Sequence, residues 1–132
     1  MKISELSAAC GLSIDTLRFY EKIGLIDPPP RDSAGRRDYP EEVLGWIRFL
    51  DQLNATGMKQ ADRIRYADLR RQGASTYAER RAMLETHRDE IIARQAELAA
   101  VRALMDHKVA LYRQLEAEHD PEHDPEQETA DV

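Results

Sequence analysis

The sequence is short of the residues that would staple, bend or embed it. One cysteine in 132 residues, Cys10, leaves no partner for an intramolecular disulfide and no set of thiolates for a structural zinc. Two Phe, one Trp and five Tyr are few beside a 33% charged content, which favours long solvated helices over a sandwich or barrel. No apolar run is long enough to cross a bilayer. Lys2 is followed by a mixed sequence, not by the apolar stretch of a secretion signal, so a soluble cytoplasmic chain without a membrane partner is expected. Glycine and proline are absent from Thr76 to Ala117, and a stretch that long without a breaker points to one long helix. Nucleophile–base pairs, phosphate-cradling glycine loops and carboxylate dyads are likewise missing, so neither an enzyme nor a cofactor is expected.

Charge is unevenly spread. The formal net charge of −6 argues at first against a nucleic-acid partner. Residues 1–75, however, carry 12 Lys/Arg against 11 Asp/Glu, while residues 76–132 carry 7 against 14. The acid sits mostly at the far end, which leaves the N-terminal half free to present a basic face.

The stretch from Gly11 to Gly24 organises that half. A glycine turn leads to Ser13, whose hydroxyl can accept an N–H at a helix start, and Gly24 supplies the stop. Between them Ile14, Leu17 and Phe19 offer apolar contacts, while Thr16, Arg18, Tyr20 and Lys22 mix hydroxyls and cations suited to phosphates and base edges. Upstream, Ser4–Cys10 reads as a first helix capped at Ser4 and burying Leu6, Ala9 and Cys10. Two short helices joined by a glycine turn make a helix-turn-helix.

Downstream, Pro28, Pro29 and Pro30 enforce an extended segment. Arg31–Tyr39 reads as a small β-hairpin wing with its tip near Ser33-Ala34-Gly35 and with Arg31, Arg36 and Arg37 on or beside that tip. Pro40 opens another helix, with Val43, Leu44, Ile47, Leu50 and Leu53 at helical spacing and a stop at Asn54–Gly57. A shorter helix from Met58 to about Arg71 is expected to bury Ile64, Ala67 and Leu69.

From Thr76 onward Tyr77, Leu84, Ile91, Leu98, Met105 and Tyr112 recur every seven residues, with Val101 and Leu115 joining them. That period predicts a coiled coil about 60 Å long. No second long helix is available in the chain to pair with it, so the partner should be a second copy. His87, Arg94 and Lys108 interrupt the seam; His87 and His107 are read as seam or surface residues, not ligands. From Glu116 the sequence holds eight acids, no Lys or Arg and two prolines, and disorder is expected over 118–132. His119 and His123 with Asp120, Glu122 and Asp124 invite a metal-site reading, but the prolines and polarity favour a solvated acidic tail. Cys10, on the inner face of the first helix, reads as a small core residue in preference to a redox sensor.

Ile3–Ser7, Gly11-Leu12-Ser13, Thr16–Glu21, Ile23–Ile26, Gly35–Tyr39 and Val43–Ile47, taken together, resemble the N-terminal half of the MerR family of bacterial transcription factors. With the long helix, the likeness covers about 115 residues. The resemblance implies a mainly α fold: an N-terminal winged helix-turn-helix (1–75) with a β-hairpin wing, then a coiled-coil dimerisation helix (76–117). It implies a homodimer that binds a pseudo-palindromic operator in double-stranded promoter DNA and distorts it, with RNA polymerase as a further partner at the promoter. Ser13, Thr16, Arg18 and Phe19 on the recognition helix fall to the DNA, with Tyr20 and Lys22 on the phosphates. Arg36, Arg37 and Tyr39 belong to the first wing, Lys59 to a second, and Arg48 adds a backbone contact. Leu84, Ile91, Leu98, Val101, Met105, Tyr112 and Leu115 fall to the dimer. The cysteines with which metal sensors of the family bind thiophilic ions are missing, and so is a large C-terminal effector domain, which leaves the effector open. The rival readings are a helical protein-interaction module and a ligand or metal sensor that does not act through DNA.

Overall fold

A computed structural model describes residues 1–119. It holds five α-helices in chain order: α1 (Ile3–Cys10), α2 (Ile14–Ile23), α3 (Glu42–Ala55), α4 (Gln60–Gln72) and α5 (Tyr77–Glu118), with a 3-10 turn at Ala74–Thr76. Two compact units divide between Asp89 and Glu90, so the first runs past the boundary expected at residue 75 and takes in the first turns of α5.

Local signals set most of the helix ends. Ser13 caps α2 as expected, its Oγ accepting the Thr16 N–H at 3.1 Å, and Gly24 closes the helix in the left-handed region at φ 86°. The cap of the first helix lies two residues before the expected Ser4. It is Lys2, whose N–H donates to the Glu5 carboxylate at 3.1 Å. The reading that α1 buries Leu6, Ala9 and Cys10 holds for Leu6 alone; Cys10 is half-buried and Ala9 exposed. At about 100° per residue Ile3 and Cys10 lie on one side of Leu6 and Ala9 on the other, and the core takes the first side.

The wing departs from expectation. No strand forms among the described residues, and the two arms meet in a single antiparallel bridge, Arg31 to Arg37. Two backbone bonds close it, Asp32 N–H to the Arg36 carbonyl at 2.7 Å and Asp38 N–H to the Pro30 carbonyl at 2.8 Å. The ladder stops there because Pro28, Pro29 and Pro30 have no N–H to donate on the incoming arm and Pro40 has none on the outgoing one. The Ala34 and Arg36 amides, moreover, turn inward to the Asp32 carboxylate, each at 2.9 Å. The wing is a side-chain-capped turn between extended arms.

In the first unit Leu6, Leu17, Leu25, Ile26, Tyr39, Ile47 and Leu50 form one buried cluster that takes residues from α1, α2, α3 and the segments flanking the wing. Removing a side chain from its centre leaves a cavity as well as lost transfer energy. Leu50→Ala is expected to lower stability by about 2–5 kcal/mol in a urea titration. The amino terminus is bonded to the Asp38 carboxylate and the Tyr39 carbonyl, both at 2.7 Å, so the chain start is laced to the end of the wing.

His87 corrects a further expectation. It is 6% exposed, and its Nε2 lies 2.7 Å from the Thr56 hydroxyl at the end of α3. The first turns of α5 therefore pack within the first unit, and His87 serves that packing, not a seam. Within the second unit Leu98, Val101, Leu104, Met105, Val109, Tyr112 and Leu115 line α5 with their side chains exposed. No helix among the described residues is long and apolar enough to cross a membrane. The acidic segment expected to be disordered lies, from Asp120 on, outside the described residues.

Candidate nucleic-acid interface

Helix α2 turns one face to the core and one to solvent. Leu17 is fully buried, and the exposed side chains are Asp15, Arg18, Phe19 and Lys22. At 3.6 residues per turn these four fall within an arc of about 100°, with Leu17 opposite. The α2 residues named from sequence thus divide. Arg18, Phe19 and Lys22 are presented outward. Ser13 and Thr16 are spent partly on each other, since Ser13 Oγ also donates to Thr16 Oγ1 at 2.9 Å while capping the helix. Tyr20 is half-buried against the core. Burial and the nearby Asp51 carboxylate push its phenol up, so it stays protonated and keeps a hydrogen to donate.

The wing is tied to α2 through Glu21. Its carboxylate accepts from the Arg37 guanidinium and from the Tyr39 hydroxyl. The charge-assisted bonds to Glu21 and Tyr39 raise the Arg37 pKa further. Burial first, and then Glu21, push the Tyr39 phenol up. Tyr39 is 1% exposed, which corrects its placement on the wing surface: its ring belongs to the core, and its hydroxyl braces Glu21. Arg37 keeps an exposed side chain, but its charge is already paired.

Asp32 supports the turn itself. Besides the Ala34 and Arg36 amides it accepts from Lys2 Nζ at 2.9 Å, and the Lys2 bond leads the causes that hold its carboxyl below the usual range. A carboxyl with a depressed folded pKa supports the fold fully above its unfolded value, 3.8, and that support is lost as pH falls through the lower folded value. The Ala34 and Arg36 amide resonances are therefore expected to hold steady from pH 7 down to about 4.5 and to move together below the ordinary aspartate range. In Asp32→Asn that acid-limb transition is expected to vanish.

Together these residues shape a cleft of about 590 Å³ lined by Lys2, Arg18, Glu21, Arg31, Arg36, Arg37 and Tyr39. Lys2 and Arg37 are paired with Asp32 and Glu21, whereas Arg18 and Arg36 form no ion pair among the described residues. Arg31 Nη1 donates to the Gly35 carbonyl at 2.8 Å, which stiffens the wing tip. The structure thus brings Arg18 on α2 and Arg36 on the wing to one surface. Arg48 on α3 and Lys59 at the N-cap of α4 are exposed but do not line the cleft.

Several supporting contacts had no place in the sequence reading. Arg71 on α4 donates to the Asp27 carboxylate and the Gly24 carbonyl, anchoring the C-terminal end of α2. Trp46 on α3 donates to the Leu25 carbonyl at 2.8 Å, stacks with the Tyr66 ring at 6.0 Å, and carries the Arg70 guanidinium over its ring at 4.3 Å. Arg63 is 7% exposed, close enough to the Tyr20 phenol for its charge to act on it, and its Nε has no hydrogen-bond partner among the described residues. It lies four residues before buried Ala67, and that shared face was the signal available in the sequence. Glu21 stood inside a recognised motif, but nothing in its spacing announced Arg37 and Tyr39 as partners.

A surface of this kind, with unpaired guanidinium groups on a capped helix and an adjoining turn, is suited to the phosphates and base edges of a duplex. Among the described residues no cluster of His, Cys, Asp and Glu is placed to hold a metal. The profile of MerR family regulatory proteins matches residues 2–39. An uncharacterized HTH-type transcriptional regulator of Haemophilus influenzae is 35% identical over 107 residues, covering 81% of this chain and 79% of the relative. The HTH-type transcriptional regulator AdhR of Bacillus subtilis is 36% identical over 92 residues, 70% of this chain and 66% of that protein. The crystal structure of HiNmlR, a MerR family regulator lacking the sensor domain, bound to promoter DNA, superposes with a TM-score of 0.75 at 32% identity, covering 87% of this chain and 91% of that one.

Proposed function

The chain belongs to the MerR family of DNA-binding transcriptional regulators, and from that premise we propose that it acts as a cytoplasmic homodimer which grips a pseudo-palindromic promoter operator and distorts it beside RNA polymerase. The observation that carries this reading is the exposed stripe of α2 beside a wing held at fixed distance by Glu21. Arg18 and Lys22 go to the groove and its phosphates, Arg36 reaches the backbone flanking them, and Arg48 and Lys59 add peripheral phosphate contacts. Ser13 and Thr16 position the helix start, whose free N–H groups favour a phosphate. Tyr20, half-buried on the core side of α2, lies outside that stripe and keeps a neutral hydroxyl. Tyr39 is left out of the contact set because it is buried.

The exposed α5 side chains Leu98, Val101, Met105, Tyr112 and Leu115 follow steps of 3, 4, 7 and 3 residues and support a helix-on-helix pairing with a second copy. Leu84 and Ile91, half-buried within one chain, extend that line. Two subunits present two α2 helices, and holding both against one face of a duplex is what makes distortion available as a regulatory output.

The reading is tested by titrating the protein on the duplex flanking its own gene across a salt series. Five candidate cations per subunit predict a steep loss, about 10³-fold or more in affinity between 50 and 200 mM salt. Binding that ignores salt, or no binding to any duplex, contradicts it and favours a protein-interaction role.

A further inference from the structure

Before α5 begins, Phe19 is the one large apolar side chain among the described residues that stands exposed, at 47%. Its position makes this unusual. It sits at one edge of the α2 stripe, one turn from Asp15 and Lys22, on a surface otherwise made of charged groups, and it belongs neither to the buried cluster nor to the aromatic contacts on α3 and α4. An aromatic ring half in water forfeits much of the burial it is capable of, and it contributes nothing to phosphate affinity. The exposed apolar residues of α5 form a long row suited to a helix; Phe19 stands alone among the charged groups Asp15, Arg18 and Lys22 and cannot form such a row.

A lone apolar group on a helix that enters the major groove has one complementary feature to meet there. Thymine alone among the four bases carries a 5-methyl group on that edge, and phenylalanine is among the side chains that contact it. We propose that Phe19 is a specificity-determining residue that reads a thymine 5-methyl in each half-site, while Arg18 and Lys22 supply charge. The inference rests on the reading that α2 lies in the major groove, and it goes beyond it by naming the chemical group recognised.

The test uses the full-length chain and operator duplexes enriched by it from a random pool, with each thymine of the half-site replaced in turn by deoxyuridine. This exchange removes one methyl group and leaves pairing intact. The wild-type protein is expected to bind about 4-fold more weakly when the contacted thymine of one half-site is changed, and about 15-fold more weakly when both are. Phe19→Ala, at a position outside the buried cluster, is expected to bind the thymine and uracil duplexes equally, with an unaltered salt slope. Phe19→Leu is expected to restore part of the preference. Equal wild-type binding of thymine and uracil duplexes at every position overturns the assignment of Phe19 while leaving DNA binding intact. A preference that survives in Phe19→Ala does the same. Failure to enrich any duplex overturns the DNA-binding reading, and the thymine contact with it.

Discussion

Arg18→Ala is expected to weaken operator binding by at least about 30-fold while leaving the fold and the oligomeric state unchanged. The reasoning starts from its surroundings. Arg18 is exposed on α2, makes no ion pair among the described residues, and lines the cationic cleft with Arg36. Its guanidinium is therefore available, in contrast to that of Arg37, whose charge is paired with Glu21. A well-formed guanidinium contact to a base edge contributes about 1–3 kcal/mol of discrimination, and a dimer loses two such contacts at once. Because no buried group depends on Arg18, its removal creates no cavity and no unsatisfied partner, and urea denaturation should match the wild type. Arg37→Ala provides the contrast. It should free Glu21 and Tyr39, loosen the wing, and lower stability as well as affinity. Equal DNA affinity for wild type and Arg18→Ala would show that α2 is not the reading helix.

Leu98→Lys is expected to convert the proposed dimer to monomer at micromolar concentration. Leu98 is 68% exposed in the single chain and lies on the line of Leu98, Val101, Met105, Tyr112 and Leu115 along α5. In a paired seam such a leucine is a knob in a hole on the facing helix. Truncating one buried leucine costs about 2–5 kcal/mol, and a homodimer pays twice, so even Leu98→Ala should raise the dissociation constant by about three orders of magnitude. Lysine adds the burial of an unpaired charge. The first unit should fold as before, because its core cluster draws on no residue beyond Asp89. Sedimentation of Leu98→Lys as a dimer would place the subunit contact elsewhere.

How far the sequence led depended on whether the deciding interaction was local. Ser13 as a cap and Gly24 as a stop were readable because each acts within one helical turn. The cationic side chains Arg18, Lys22 and Arg36 were readable as exposed for a related reason: their own type keeps them out of a core. Tyr39 was misplaced because its fate is settled 18 residues away, where Glu21 accepts its hydroxyl and the surrounding core takes its ring. The wing was expected as paired strands from its turn and flanking arms. Three prolines and the inward grip of Asp32 on two amides reduced the ladder to one bridge. His87 sat in an interrupted heptad, and only the packing of α5 on the end of α3 gave it Thr56 as a partner. The braces Arg63 and Arg71 escaped notice because arginine in a polar helix reads as solvated until its target comes into view.

The central claim is that two copies present two α2 helices to one duplex. Hydroxyl-radical footprinting of the full-length protein on the DNA flanking its own gene tests it most directly. The account predicts two symmetric protected half-sites, separated by about 34–36 Å or a multiple of that spacing, with altered reactivity at the centre where the duplex is distorted. A single protected half-site, or uniform protection without symmetry, would contradict it.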